Sequence, residues 1–377
     1  MALRFHWMLP KAGEVATQTP VEARRYRVAA VGDDSPARRP DMAGWSHWAR
    51  HAEEAGIDST LICFNRYEPD PFIVACALGC ATPKLKFILA YRSGLMQPAT
   101  FVQQVNTLSG VIGGRVAVNL VAGSSSAEQR GYGDFLSHDE RYARAEEFLS
   151  VCHAFWHNGR DVDFDGRHYR VEGGRVHTPF SDNGHPAPAI YISGHSEQAL
   201  QLTRTQGTCW LRTADVPEKI AASVKQMREA GLSVCLRVCV ICRPTYDEAV
   251  AVAESLRPDE AGDGIAGTAD DSRMYAERSR DGAWLSRTLW TGLVPKYGPV
   301  WTTLLGTPRD LADAFLAWGG IGVDEFILSG WPELETVDTF GREVLPLIRE
   351  AEATHMAVSN GTPESHSSHP VPAETLP

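Results

Sequence analysis

The stretch Arg115-Val-Ala-Val-Asn-Leu-Val-Ala-Gly123 constrains the fold more than any other part of the sequence. Its density of aliphatic and β-branched residues predicts a buried parallel strand, which requires a sheet that is covered on both faces. Asn119 interrupts this apolar run, and a buried amide is costly unless something hydrogen-bonds it. For an isolated Asn the simpler interpretation is that it ties down its own loop. The rest of the chain favours a ligand-facing role.

Composition limits the classes of protein to which the chain can belong. Its 377 residues, 43% hydrophobic and 22% charged, are typical of a globular protein with one large or two ordinary domains. The net charge of -11 argues against nucleic acid and anionic membranes as partners, because both require basic surfaces. We find no membrane-spanning run and no signal-peptide pattern, so we expect a cytoplasmic location.

The eight cysteines lie mostly in apolar strand or helix patterns, as reduced core cysteines do. Cys239 and Cys242 have the spacing of half a zinc site. In a strand, however, two side chains three positions apart point to opposite faces. No second pair with ligand spacing follows, so we predict no metal site.

Eight segments have strand composition, and the pattern alternates strand with helix. The predicted strands are residues 5–10, 59–64, 86–91, 115–123, 188–194, 208–212, 233–242 and 323–330. Eight such repeats predict a (β/α)8 TIM barrel, formed as a single domain by residues 1–353. The alternation in residues 161–170 predicts an inserted hairpin. Barrels of this class carry their chemistry at the carboxyl ends of the strands.

Three polar segments interrupt this regular pattern. Residues 14–40 form a loop of a length that is usually functional or disordered. Residues 257–290, rich in Gly, Asp, Ser and Arg, are predicted to form a mobile lid. The tail, residues 354–377, is predicted to be disordered.

Six motifs at the strand ends and helix starts occur together in an order that resembles a known family. They are Trp7-Met-Leu-Pro10, Thr107-Leu-Ser109 with Gly114-Arg115, Asn119-Leu-Val-Ala-Gly123, His138-Asp-Glu-Arg-Tyr142, Tyr191-Ile-Ser-Gly-His-Ser196 and Ile327-Leu-Ser-Gly-Trp-Pro332. With these motifs the chain resembles the bacterial luciferase-like flavin monooxygenases, and among them the alkanesulfonate monooxygenases that depend on reduced FMN. The resemblance covers about residues 5–351.

The resemblance implies a two-component enzyme. A separate flavin reductase supplies reduced FMN, which reacts with O2 to give a C4a-(hydro)peroxide. This species attacks a small-molecule substrate. It also suggests a homo-oligomer, a dimer or a tetramer.

By the same resemblance, two groups of residues bind the cofactor. Asn119, Val121 and Gly123 belong to the strand that faces the isoalloxazine. The residues that bind the ribityl and phosphate groups of FMN are His138, Tyr142, Gly194, His195 and Ser196. The last three begin a helix, where backbone N–H groups and the helix dipole favour a phosphate. An ordinary helix start is the alternative role of His138.

The substrate half of the family pattern is altered. A family His after the first strand is Ala12 here, beside Lys11, and a family Cys after the second strand is Glu68. In the seventh strand the family's Arg-X-His is Arg237-Val-Cys239, and the family's Tyr after the eighth strand is Trp331. A family Arg near Lys296 is not obviously kept.

We therefore take Arg237, Cys239, Glu68 and Trp331 as the catalytic candidates. Arg237 and Cys239 are two apart in a strand and should face the barrel interior together. Arg237 either anchors an anion or forms an internal salt bridge, for instance with Glu68, and both hypotheses stay open. Cys239 should be a neutral wall residue. Further candidates for an anionic substrate are Arg66, Arg92, Arg212 and Lys296, each of which could also be a solvated rim residue.

The leading hypothesis is oxygenation that depends on reduced FMN, with desulfonation of an organosulfonate as one outcome. A second hypothesis keeps the cofactor for N-, S- or C-oxygenation, or oxidative C–N or C–C cleavage, of a larger substrate. A third is a deazaflavin-dependent oxidoreductase, and a fourth is a flavin-binding protein without catalysis.

Overall fold

The computed structural model describes residues 2–10, 40–66, 68–123, 126–157, 161–181, 184–257, 283–294, 298–330 and 332–360. The strands in these ranges are β1 (Arg4–Met8), β2 (Ser59–Ile62), β3 (Lys86–Tyr91), β4 (Val116–Leu120), β5 (Val162–Asp165), β6 (Arg170–Gly174), β7 (Ala189–Ser193), β8 (Cys209–Thr213), β9 (Ser233–Cys242), β10 (Leu289–Trp290), β11 (Thr303–Gly306) and β12 (Glu325–Gly330).

Eight of these strands form a closed parallel barrel in the order β1-β2-β3-β4-β7-β8-β9-β12, and β12 pairs with β1 to close it. They are the eight strands predicted from the sequence, so the (β/α)8 fold is confirmed. β5 and β6 pair antiparallel as the predicted hairpin. The barrel strands are buried on both faces, which explains why their sequences are nearly continuous apolar runs.

Helices cover the outside of the barrel. They are α1 (Met42–Glu54), α2 (Pro71–Ala81), α3 (Pro98–Val111), α4 (Ser126–Gly131), α5 (His138–His157), α6 (Glu197–Gln206), α7 (Pro217–Glu229), α8 (Tyr246–Leu256), α9 (Pro308–Gly320), α10 (Glu333–Thr339) and α11 (Leu345–Asn360), with a π-helical turn, Phe340–Val344, between the last two. Proline occupies the first position of α2, α3, α7 and α9, where its missing N–H has no partner to lose. None of the helices in these ranges combines the length and apolar character that crossing a bilayer requires.

Two short strands and one helix end differ from the expectations. The outer half of β9 leaves β8 and pairs with β11, which in turn pairs with β10, so residues 289–290 of the predicted lid form part of the sheet. The final helix continues to Asn360, past the predicted start of the tail at residue 354. Most of the predicted lid, most of the loop 14–40 and the tail beyond 360 lie outside the described residues.

Alternate residues of each strand point into the barrel, where they form layers. The middle of the interior, which we call the middle layer, is a packed cluster that is apolar apart from one hydroxyl and consists of Leu61, Ile88, Ala90, Tyr191, Cys209, Leu211, Cys235 and Ile327. Polar residues lie on both sides of this layer, at the amino and at the carboxyl ends of the strands.

The polar cluster at the amino end, which we call the floor network, centres on the buried carboxylate of Glu325. His6 Nε2 donates to Glu325 Oε2 over 2.9 Å, the Tyr191 hydroxyl donates to the same oxygen over 2.5 Å, and Arg4 forms an ion pair with Oε1. His6 Nδ1 lies 2.5 Å from Ser59 Oγ. Burial alone would raise the pKa of Glu325, but these hydrogen bonds and charges hold it below its ordinary value.

Candidate active site

Arg237 and Cys239 lie together at the carboxyl end of the barrel interior, as predicted. The Arg237 guanidinium donates to Ile327 O and to Ser329 Oγ, each over 3.1 Å, and lies 3.3 Å from Met8 Sδ. The Cys239 thiol lies 3.2 Å from the same Ser329 hydroxyl and donates to Val300 O over 3.4 Å. Ser329, which belongs to the motif Ile327-Leu-Ser-Gly-Trp-Pro332 at the end of the eighth predicted strand, joins the two candidates.

The partners of Arg237 are neutral. Its side chain is buried, with 7% exposure, and it forms no ion pair with any carboxylate among the described residues. The internal salt bridge with Glu68 that the sequence left open is therefore absent from this part of the structure. Glu68 lies half-buried in the loop after β2, where its backbone N–H donates to Asn65 O.

Asn119 is buried in β4 and is held by the neighbouring strand β7, not by its own loop. Ser193 Oγ donates to Asn119 Oδ1 over 2.7 Å. This bond fixes the amide and leaves its Nδ2 group as a donor with no hydrogen-bond partner among the described residues. Val121, two positions along the chain, follows on the same side of the strand. Both side chains thus lie at the barrel mouth.

The segment between β7 and α6 forms a second donor surface. Gly194 has a φ of +130°, and a Cβ there would lie 3.2 Å from the Tyr142 hydroxyl, so the segment passes close over α5. Ser196 caps α6 by accepting the N–H of Ala199. The N–H groups of Glu197 and Gln198 therefore begin the helix without an intrahelical partner.

The amino ends of α5 and α6 are joined at this surface. The ring of His138 lies 5.0 Å from that of Tyr142, and its Nδ1 lies 3.2 Å from Asp139 Oδ1. Gln198 Nε2 donates to the same Asp139 oxygen over 3.1 Å. His138 is partly exposed and Tyr142 is buried. His195 directly precedes Ser196 in the turn that leads into α6. The structure thus brings the proposed phosphate residues of the two helices together.

Gly123 ends the apolar stretch that begins at Arg115 and has a φ of +82°. A Cβ at this position would lie 1.4 Å from Gln129 Nε2, so no other residue fits while Gln129 keeps its place. Gln129, from α4, donates to Ala122 O over 3.2 Å. Glycine is thus required by the backbone conformation and by the close approach of α4.

Arg92 is a buried residue of the barrel mouth, not the solvated rim residue that was one of its two predicted roles. Its Nη2 donates to Glu128 Oε1 over 2.9 Å, and its guanidinium carbon lies 5.4 Å and 5.8 Å from the ring centres of Phe64 and Tyr132. Burial, and then the charge of Glu128, raise the pKa of Tyr132, while the charges of Arg92 and Arg66 oppose them.

The other charged candidates lie apart from Arg237. Arg66 is exposed, and its backbone N–H donates to Glu128 Oε1. Arg212 lies on the same face of β8 as Trp210, 5.2 Å from the centre of its ring, whereas Cys209 and Leu211 face the interior. Arg212 therefore points towards the helix layer and not into the barrel. Trp331, Lys296 and Ala12 lie outside the described residues.

The donors at the barrel mouth fit a flavin nucleotide. The free amide group of Asn119 suits a ring carbonyl, and the amino end of α6 beside Tyr142 suits a phosphate. A (β/α)8 barrel with donors of this kind at its mouth is compatible with an oxidoreductase that binds a nucleotide cofactor. Residues 3–325 match the model of the family described as luciferase-like monooxygenase, and the chain belongs to that family.

Solved structures share this fold at low sequence identity. EDTA monooxygenase from Chelativorans sp. BNC1 is 20% identical with a TM-score of 0.73, over 93% of this chain and 94% of that one. Riboflavin lyase with modified FMN and riboflavin is 18% identical with a TM-score of 0.68, over 93% and 92%. The coenzyme F420 dependent tetrahydromethanopterin reductase from Methanopyrus kandleri is 17% identical with a TM-score of 0.60, over 92% and 99%.

Proposed function

We propose that this protein is a two-component monooxygenase that uses reduced FMN and O2 to oxygenate a small anionic organic substrate, with organosulfonates as the first candidates. A separate flavin reductase supplies the reduced cofactor, and the working enzyme is a cytoplasmic homo-oligomer. The observation that carries the proposal is the buried guanidinium of Arg237 at the mouth of the barrel, which pairs with no carboxylate of the described residues.

Arg237 holds an unbalanced positive charge where a substrate would lie. Burying a charge is costly unless a counter-charge or a full set of hydrogen bonds compensates it. The carbonyl of Ile327 and the hydroxyl of Ser329 orient the guanidinium but do not neutralise it. The planar fork of an arginine matches the oxygens of a sulfonate or carboxylate, so a bound oxyanion would complete the site.

The chain's own residues have four tasks in this mechanism. The bound reduced flavin supplies the activation of O2. Asn119, fixed by Ser193, orients the ring system, and the amino end of α6 with Tyr142 holds the phosphate. Arg237 orients the anionic end of the substrate. The apolar middle layer of the barrel keeps water from entering beneath the site.

The same cofactor with a larger, nitrogen- or carbon-centred substrate is the second candidate. Cys239 supports it, because a thiol held by Ser329 and Val300 O cannot replace the acid–base group of the His that sulfonate-acting members carry. The fold is also shared with EDTA monooxygenase, an enzyme named for a polycarboxylate, and with an F420-dependent reductase. A deazaflavin-dependent hydride transfer is therefore the alternative on the cofactor side.

The test supplies the purified protein with reduced FMN from an unrelated reductase, under air, with a panel of alkane- and arenesulfonates. We expect sulfite above the reductase-only control, and a loss of more than about tenfold in Arg237→Met, because a charge-assisted anchor is removed. Arg243→Met, in an arginine just beyond the end of β9, is the matched control and should retain activity.

The outcomes separate the candidates. Oxygen-dependent product from amines or carboxylates without sulfite would favour the second candidate. Tight binding of coenzyme F420 with no binding of FMN would overturn the flavin assignment. Binding of FMN without any oxygen-dependent turnover, across all the substrates, would leave a flavin-binding protein and contradict the proposed activity.

A further inference from the structure

We propose that Arg141, on α5, is the positioning residue of the flavin site: it fixes the backbone of Ala122 and Gly123 so that this segment can meet the cofactor. The inference rests on the proposed function, because it requires the flavin to bind at the carboxyl end of β4. Arg141 itself would touch no flavin atom.

All three nitrogens of the Arg141 guanidinium donate to backbone carbonyl groups. Its Nε donates to Ala122 O over 2.9 Å, its Nη2 to Gly123 O over 3.2 Å and its Nη1 to Leu136 O over 2.8 Å. Two of these acceptors are consecutive residues of the flavin-facing stretch. The third belongs to the loop that leads into α5, so a single side chain joins the two segments.

Nothing in the described structure gives Arg141 an ionic partner. Its side chain is buried, with 4% exposure, and the nearby carboxylate of Asp134 forms its ion pair with Arg144, at 2.5 Å. Burial lowers the pKa of Arg141. The charge of Asp134 opposes this effect from a distance, and the direct partners of the guanidinium are the three carbonyl groups.

The position of the carbonyl groups determines where the amides point. In a trans peptide the C=O and the following N–H point in opposite directions. The Ala122 carbonyl is turned towards α5 by Arg141 and also by Gln129 Nε2, at 3.2 Å. The N–H of Gly123 is therefore turned away from the helix layer, towards the barrel mouth, where an electronegative atom of the flavin can accept it.

The start of α5 thus acts on both donor surfaces of the site. Arg141 holds the segment after β4, and the adjacent Tyr142 reaches the segment at Gly194. A helix that holds two cofactor loops at once fixes their separation. This separation must match the distance from the flavin ring to its phosphate.

The chain contains a matched control for Arg141. Arg115 precedes β4 at its opposite end and also donates to three carbonyl groups, Ile112 O, Leu85 O and Gly79 O, over 2.6–2.8 Å. Both arginines have a pKa lowered by burial. They differ in location, because Arg115 lies at the floor of the barrel and Arg141 at its mouth.

The experiment measures the Kd for oxidised and for reduced FMN in the wild type, Arg141→Lys and Arg115→Lys, at a temperature well below every Tm. A lysine keeps the charge, but its three N–H donors leave a single nitrogen and cannot reach three carbonyl groups spaced around a planar guanidinium. We expect the Kd to rise about tenfold or more in Arg141→Lys and to stay within about twofold in Arg115→Lys. The KM for reduced FMN should rise with the Kd, while the KM for the organic substrate stays the same.

A second variant covers the case in which Arg141→Lys does not fold. Gln129→Met removes one of the two donors to Ala122 O at similar volume, and we expect a rise of about threefold in the Kd for FMN. If the folded Arg141→Lys and Gln129→Met variants bind FMN as tightly as the wild type, the inference about Arg141 is overturned. The same holds if Arg115→Lys weakens FMN binding as much as Arg141→Lys does. Neither result would affect the proposed function. A wild-type protein that binds no FMN would overturn the proposed function as well.

Discussion

The two ends of the barrel interior hold buried polar groups in opposite ways. At the amino end, Glu325 receives hydrogen bonds from His6 and Tyr191 and an ion pair from Arg4. At the carboxyl end, the described residues give Arg237 only neutral partners and give the Asn119 side chain one hydrogen bond, to its acceptor oxygen. The apolar middle layer separates the two clusters.

This difference distinguishes a polar cluster whose charges are paired within the fold from one to which we assign a ligand. In the floor network each charge has a counter-charge, so the cluster contributes to the specificity of folding and has little capacity left for binding. At the mouth the described residues leave a charge without a counter-charge and an amide group without an acceptor, which supports the binding role proposed for this end. Removing a member of each cluster should therefore have different consequences.

The largest effect is expected from Glu325→Ala. The substitution leaves His6, Tyr191 and Arg4 without their acceptor, and breaking a buried ion pair in this way costs about 3–5 kcal/mol. Urea unfolding should show this loss in the free energy of unfolding. The Kd for FMN, measured on the folded fraction, should stay within about twofold of wild type. A loss below about 1 kcal/mol would contradict the view that the floor network is structural.

An intermediate effect is expected on acid stability. Because the folded pKa of Glu325 is below its ordinary value, the carboxylate contributes stability that is present above the unfolded pKa and is lost as pH falls through the folded pKa. The free energy of unfolding should thus fall with pH below about 4.5, the ordinary value. Asp324, whose pKa is raised by burial, acts in the opposite direction.

Glu325→Gln isolates this contribution. The variant retains Asp324 and the rest of the chain, so the difference between its pH profile and that of the wild type belongs to Glu325. We expect the free energy of unfolding to decline less steeply in the variant between about pH 5 and pH 3, the acid range in which buried carboxylates titrate. This expectation does not depend on the absolute stability of the variant. Parallel profiles would show that Glu325 is not held ionised by His6 and Arg4.

The barrel was predictable from local pattern, because strands buried on both faces have unmistakable apolar runs and each is followed by a helical segment. Alternation along β9 also placed Arg237 and Cys239 on one interior face, and the structure confirms it. Arg212 could have been assigned in the same way, since it alternates with the interior residue Leu211. The roles of Asn119, Tyr142 and Ser196 in binding flavin stay predictions.

Partners that come from distant parts of the chain could not be predicted. Ser193 meets Asn119, Glu128 meets Arg92 and Ser329 meets Arg237 across 74, 36 and 92 positions of sequence. Such pairs depend on the register of the barrel, which no local pattern encodes. The β10–β11 pairing was missed for a different reason, because strands of two and four residues have too few positions to show a period.

The smallest effect on stability is expected from Arg237→Met. Methionine occupies a similar volume and removes a buried charge that has no counter-charge, and such replacements are often neutral or stabilising. We expect the free energy of unfolding to change by less than about 1 kcal/mol, or to rise, while substrate turnover is lost. Urea unfolding and the turnover assay on one preparation measure both quantities. A loss of several kcal/mol would mean that Arg237 belongs, like Glu325, to the structural interior, and the contrast between the two ends of the barrel would fail.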